Sequence, residues 1–307
     1  MLVFDKHSVE VFFHREKRHM KKIYTYIRAK GWMRQGWGFL LLLVLLPSCS
    51  IDRPTHEGLR AVLWVQTSAE YRACAEQAYR MAKEKLDLAL KIRGWTAAPE
   101  QLKDYQDLPP AVILDVDRTV LDNSPFQGQL VKESRAFTRG LWEKWVFMAK
   151  AAPVPGALEF VKYAESKKVE IFYVTNRTAN LEQATRNNLE KLGFPTKREP
   201  DTVLMRKEKG WGSDKSSRRR HVARGYRILL LLGDDFNDFL SGARGRGVSL
   251  EDRTRLAEQY KSYWGEKWII FPNPVYGSWE AALYEFEYGL PHTEKLKREY
   301  ERLQTME

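Results

Sequence analysis

Ile113-Leu114-Asp115-Val116-Asp117-Arg118-Thr119 is an apolar run that ends abruptly in two carboxylates spaced one residue apart. Leu232-Gly233-Asp234-Asp235-Phe236-Asn237-Asp238 repeats the pattern further along. Four β-branched or leucine-rich runs, at 111–114, 169–174, 228–232 and 268–271, read as strands. None alternates cleanly between apolar and polar, as expected of strands covered on both faces. Helical patterns at 141–149, 156–166, 181–192 and 216–224 separate them. Strand–helix alternation of this kind predicts an α/β fold with a parallel sheet flanked by helices. In such sheets ligands bind beyond the carboxyl ends of the strands. Both carboxylate clusters fall there, and so does Thr175-Asn176-Arg177 after the second run. The three clusters are therefore expected to form one site.

Crowded carboxylates are costly unless a cation sits among them. Magnesium (Mg2+) is the natural ion, since it prefers oxygen ligands and retains waters. Asp115, Asp234 and the backbone carbonyl of Asp117 could supply its protein ligands. A carboxylate such as Asp115 can attack phosphorus to give an aspartyl-phosphate that water then hydrolyses. A second, Asp117, can protonate the leaving oxygen and later deprotonate the water. Thr175 offers a hydroxyl to a phosphoryl oxygen, and Lys215 a neutralising charge. The pattern points to hydrolysis of a phosphate ester. None of the six histidines has a partner at metal-binding helical spacing, so no zinc site is expected.

The chain of 307 residues carries a formal net charge of +11, which suggests nucleic acid at first sight. Residues 1–48 hold nine Lys/Arg and three Asp/Glu, leaving 42 against 37 for the remainder. Much of the basicity thus lies in a segment that reads as removable, and no nucleic-acid partner is expected. The run Lys215-Ser-Ser-Arg218-Arg219-Arg220-His221 reads as a solvated basic helix face. Arg34 precedes the apolar run 39–46, which is too short to span a bilayer. Leu46, Ser48 and Cys49 then resemble a bacterial lipoprotein processing box, so lipidation at Cys49 and anchoring in the bacterial cell envelope are expected. Translation is expected to start at Met20 or Met33 rather than at residue 1. From 58 to 93 a stripe of Tyr71, Cys74, Ala78, Met81, Leu88 and Ile92 predicts a long helix ending near Gly94.

The order Asp-x-Asp-x-Thr, strand-terminal Thr, Lys, Gly-Asp-Asp-x-x-Asp resembles the haloacid dehalogenase superfamily, and more closely its class C branch of lipoprotein acid phosphatases with four aspartates. That branch reads Asp-x-Asp-Glu-Thr-x-Leu-x-Asn-x-x-Tyr where this chain has Asp115-Val-Asp117-Arg118-Thr119-Val-Leu121-Asp-Asn123-Ser-Pro-Phe126. It reads Gly-Asp-Asn-Leu-x-Asp-Phe where this chain has 233–239. Further likeness lies in Leu63–Tyr71, Trp142–Val146, Pro155–Phe160, Tyr173–Arg177 and Pro272–Glu280, about 59–290 in all.

The resemblance implies a Rossmann-like core with a small cap made of N- and C-terminal segments. Residues 1–48 would be an extension and signal peptide, 49–57 a tether, and 58–307 the phosphatase domain. It implies Asp115 as nucleophile, Asp117 as acid/base, Asp234 as a magnesium ligand, Asp238 as the supporting fourth aspartate, and Thr175 and Lys215 on the phosphate. Substrates would be small phosphomonoesters, including nucleoside 5'-monophosphates. Phe126, Trp142, Trp145 and Tyr276 are candidate stacking residues for a base. Three departures stand out: Arg118 replaces Glu, Asp235 replaces Asn and Phe126 replaces Tyr. They motivate an alternative, a non-catalytic envelope lipoprotein using the same scaffold to bind a ligand or partner.

Overall fold

A computed structural model describes residues 56–306. The signal-like segment and Cys49 lie outside the described residues. Helices α1 (Leu59–Thr67) and α2 (Ala69–Lys91) open the fold. The single helix expected over 58–93 is broken at Ser68, whose extended backbone and side chain cap α2 by accepting from Tyr71 N–H. The buried stripe of α2 is also rotated from the expected one. Ala75, Ala82 and Ala89 are fully buried, whereas Cys74 is exposed and Leu88 and Ile92 are more than a third exposed. Seven-residue spacing of alanines, with Tyr79 and Leu86 buried between them, sets the face that packs on the sheet, and Tyr71 and Ala78 of the expected stripe lie at its edge.

Strands β1 (Pro110–Leu114), β4 (Glu170–Thr178), β5 (Val203–Arg206), β6 (Arg227–Gly233) and β7 (Trp268–Ile270) form one sheet in the order β5-β4-β1-β6-β7, every pair parallel. Between β1 and β4 the chain makes a small antiparallel pair, β2 (Leu121–Asp122) with β3 (Ala152–Pro153). This pair frames two helices, α3 (Ser124–Glu133) and α4 (Arg139–Met148). Helix α1 packs on α3, so this internal insertion joins the N-terminal segment in the cap. The remaining helices are α5 (Ala157–Ser166), α6 (Glu182–Lys191), α7 (Ser216–Ala223), α8 (Leu250–Gln259), α9 (Ser278–Leu283) and α10 (His292–Glu301). Among the described residues no helix is long and apolar enough to cross a membrane.

The missing alternation has a direct cause. Val112, Leu114, Ile171 and Tyr173 pack into a core with α2 and α5. Ala111, Ile113, Phe172 and Val174 pack into a second core with α7 and α8. Successive residues point to opposite faces, and both faces are apolar. Trp268 anchors the second core, with its indole Nε1 donating to Ala97 O (2.8 Å) and its ring against Phe239, Tyr260, Tyr263 and Trp264. Trp268→Ala is expected to cost about 3–5 kcal/mol of stability. Urea unfolding measures this as a lower midpoint at constant slope.

Candidate active site

Strands β1 and β6 are neighbours, so their ends bring both carboxylate clusters together. Asp115 N–H donates to Leu232 O (2.9 Å), tying the two strand ends at the point where the side chains diverge. Carboxylate oxygens of Asp115, Asp234 and Asp238 all lie within 4.8 Å of one another. Asp238 reaches the cluster because Gly233 has no side chain. A Cβ there would clash with the Asp238 carboxylate, whose Oδ2 accepts the N–H groups of Asp234 (3.1 Å) and Asp235 (3.0 Å).

Lys215 is the cation among them. Its buried ammonium donates to Asp115 and to Asp238 Oδ1 (2.6 Å). Burial pushes the Asp115 carboxyl up to about 7, with Lys215 opposing the shift and Asp238 and Asp117 adding to it. Burial and Asp115 raise Asp234 well above the carboxylate range, and Asp238 is raised by burial against the pull of Lys215. For Lys215, burial alone would lower the pKa, but Asp115 and Asp238 more than offset it and the value rises. Asp234 has only neutral partners among the described residues: Asn273 Nδ2 (2.7 Å) and the Thr119 hydroxyl (3.3 Å). A half-buried carboxylate with neutral donors, beside two buried ones that share one lysine, fits a hard divalent cation.

Asp117 stands apart from that trio. Its carboxylate accepts from Arg177 Nη2 (2.7 Å) and Nε (3.1 and 3.2 Å) and from Asn123 Nδ2 (2.6 Å). The Asp117 side chain is therefore held by a guanidinium and an amide. Thr175 is fully buried, and its Oγ1 accepts the N–H of Arg177 (3.1 Å), which leaves the hydroxyl proton for another acceptor. Residues 175–177 project because β4 bulges: Val174 pairs with Leu204 and Thr178 with Arg206, so three residues oppose one.

The aromatic candidates divide. Phe126 and Trp142 meet edge to face (5.2 Å), Phe137 joins them (6.1 Å from Phe126), and the Arg177 guanidinium lies 5.5 Å from the Trp142 ring. Trp145 instead donates its indole N–H to Asn123 Oδ1 (2.9 Å), so it orients the amide that holds Asp117. Tyr276 lies near the aspartates, and burial followed by the Asp234 charge pushes its hydroxyl well above the usual range.

The expectation of a solvated basic face at 215–221 is overturned. Arg218 and Arg219 are fully buried. Arg218 donates to Thr175 O, Asn176 Oδ1 (2.8 Å) and Gly212 O (3.1 Å), and burial brings it down to about 10. Arg219 pairs with Glu100 (2.6 Å) and donates to Asp238 O (2.8 Å). These two arginines hold the loops that carry Thr175 and Asp238.

The departures near the signatures also find partners. Arg118 has φ 65° and is fully buried, with Nη1 on Asp122 Oδ1 (2.8 Å). Its charge is neutralised locally rather than aimed at Asp115. Asp235 accepts from Asn237 N–H (2.9 Å) and the Ser278 hydroxyl (2.7 Å), which ties the start of α9 to this loop. Arg177, Asn123, Arg218 and Asn273 had no assigned role from the sequence. For Arg177, Asn123 and Asn273 the position at or just past a strand was the available signal, whereas Arg218 lies within α7.

A parallel sheet with this cluster at its strand ends is the layout of a phosphoryl-transfer scaffold, and the comparisons with known proteins agree. The chain belongs to the haloacid dehalogenase (HAD) superfamily, subfamily IIIB (acid phosphatase), whose family model matches residues 52–279. It is similar in structure to the class C acid phosphatase of Bacillus anthracis, with 37% sequence identity and a TM-score of 0.73 over 82% of this chain and 99% of that one. The same enzyme with tungstate bound gives 36% and 0.72 over 83% and 99%. Among curated relatives are the stem 28 kDa glycoprotein of Glycine max, 26% identical over 172 residues, and a stem 31 kDa glycoprotein, 29% identical over 170. Each match covers 53% of this chain and 58% of the relative, so the chain spans little more than half their length.

The raised carboxyls set a stability trend. A group whose folded pKa lies above its unfolded value stabilises the fold at low pH and loses that contribution as pH rises through the folded value. For Asp115 the window runs from 3.8 to about 7. Over this window the metal-free protein is expected to lose the contribution of the cluster. Stabilisation by added magnesium is expected to grow, since binding needs the ionised carboxylates. Thermal melts with magnesium and with chelator at each pH measure the difference, and a difference that shrinks with rising pH would contradict this arrangement.

Proposed function

We propose that this chain is a magnesium-dependent acid phosphatase that releases phosphate from small phosphomonoesters, nucleoside 5'-monophosphates among them, through an aspartyl-phosphate. The observation that carries the reading is the trio Asp115, Asp234 and Asp238, of which Asp115 and Asp238 are buried, around Lys215. Family membership and the tungstate, a tetrahedral oxyanion, held by the Bacillus anthracis relative support it.

Asp115, Asp234 and Asp238 are the residues that would hold the ion, which supplies charge neutralisation of the phosphoryl oxygens. A carboxylate oxygen of Asp115 attacks phosphorus, and the bond from phosphorus to the ester oxygen breaks. Asp117 gives its proton to the departing alcohol. It then takes one from the water that cleaves the acyl phosphate and restores the Asp115 carboxylate. Thr175 donates its hydroxyl proton to a phosphoryl oxygen, and Lys215 neutralises the charge that develops there. Arg177 and Asn123 orient Asp117. The Phe126–Trp142–Phe137 group and Tyr276 provide apolar surface for the leaving group. Cys49 carries the lipid that anchors the enzyme in the bacterial envelope, after removal of the preceding signal.

Purified protein is expected to hydrolyse p-nitrophenyl phosphate and a nucleoside 5'-monophosphate with magnesium and to stop with chelator. Asp115→Asn is expected to lower kcat by at least about a thousandfold, as loss of a nucleophile does. Full activity in that variant would remove the aspartyl-phosphate route, and no phosphate release with ample magnesium would remove the enzyme reading. Mass spectrometry of the membrane-derived protein is expected to find acyl chains on Cys49; an unmodified cysteine there would exclude lipid anchoring.

A further inference from the structure

Arg206 closes β5 at the same end of the sheet as the aspartate cluster. It pairs in register with Thr178, directly after the bulge that carries Thr175, Asn176 and Arg177. Leu204, two residues earlier, pairs with Val174, so the Arg206 backbone stands about 7 Å beyond the level of Val174 and one strand over. From there a guanidinium can reach the space next to the Thr175 hydroxyl.

This guanidinium has no carboxylate. Arg206 is half-buried, its Nε is buried without a hydrogen-bond partner, and no ion pair to it exists among the described residues. The surrounding charges are mostly of the same sign. Arg139 is brought to the rim through Glu143 (2.9 Å), which also accepts from Asn180 (3.4 Å), itself bonded to Thr178 (2.6 Å). Lys207 and Lys209 follow in the sequence. The nearby carboxylates are engaged elsewhere: Glu143 as described, and Glu208 with Met205 N–H (3.2 Å) and Lys209 (3.3 Å). Burial, then the charges of Arg244 and Arg139, hold Arg206 below the usual arginine range. Arg206 remains partly open to solvent with no carboxylate paired to it, so an arriving anion would meet a guanidinium free to bind it.

The geometry points to Arg206 as the anchor for a second anionic group on the substrate, so that the site prefers phosphomonoesters bearing another phosphate. This rests on the phosphatase reading and narrows its substrate class. Arg206 touches the part of the substrate that does not react, so it sets specificity and binds neither the ion nor the transferred phosphoryl group.

The test compares a hexose 1,6-bisphosphate with the hexose 6-phosphate, and uses p-nitrophenyl phosphate as a reference. Wild-type protein is expected to show the lower KM for the bisphosphate. Arg206→Gln is expected to raise that KM by about tenfold or more, the scale of one charge-assisted contact. Its kcat/KM on p-nitrophenyl phosphate should stay within about twofold. Arg206→Lys should recover part of the loss, which a purely structural role would not give. Equal KM values for the two sugars in the wild type, or an equal loss on all three substrates in Arg206→Gln, would overturn the proposal. Calorimetric binding of the same two sugars to Asp115→Asn protein, with and without Arg206→Gln, reads the discrimination without turnover. Failure of p-nitrophenyl phosphate hydrolysis therefore refutes the enzyme reading separately from this one.

Discussion

The structure depends on gathering three carboxylates, two of them buried, around one lysine that offsets them. Removing such charges from water costs several kcal/mol per ion unless geometry and partners repay it. The fold supplies those partners from many directions. Lys215 comes from the start of α7, Asn273 from beyond β7, and Thr119 from the strap after β1. Two backbone amides at the end of β6 hold Asp238. The absence of a side chain at Gly233 is what admits that last carboxylate.

A second ring of buried cations surrounds the first. Arg218 and Arg219 bind the carbonyls of the loops that carry Thr175 and Asp238, and Arg177 grips Asp117. Their planar, multi-donor groups can satisfy several loop acceptors at once, which a lysine cannot. The aromatic residues are joined to the same ring, since Trp145 orients Asn123 and Trp142 faces Arg177. The arrangement of the aromatic cluster and the placement of Asp117 are therefore set by one network.

Much of this was legible in the sequence, because strand ends carrying aspartates are a local signal that the parallel topology converts into proximity. Four strands could be read from their apolar runs. β5 could not, since Val203-Leu204-Met205 is only three apolar residues between Thr202 and Arg206. The α2 stripe shares Tyr71 and Ala78 with the expected one but runs on through Ala75, Tyr79, Ala82, Leu86 and Ala89, because several three- and four-residue series coexist in this alanine-rich segment. The basic run on α7 misled for a different reason: sequence counts charges but does not show the carbonyls that long side chains reach. Pairings such as Arg118 with Asp122 require a backbone in the left-handed region, which nothing in the residue types announces.

The link between Asp235 and Ser278 has a bearing on how the molecule assembles. The loop after β6 gains its hydroxyl partner from Ser278 and its amide partner from Asn273, both late in the chain. Early strands can pair and bury their apolar faces as soon as they emerge, since domains begin to fold from the N-terminal side. The charged centre cannot be completed on that schedule. A chain stopped at the end of β7 would hold a formed sheet whose β6 loop still lacks both Asn273 and Ser278, so that loop is tied down only after the last strand is in place.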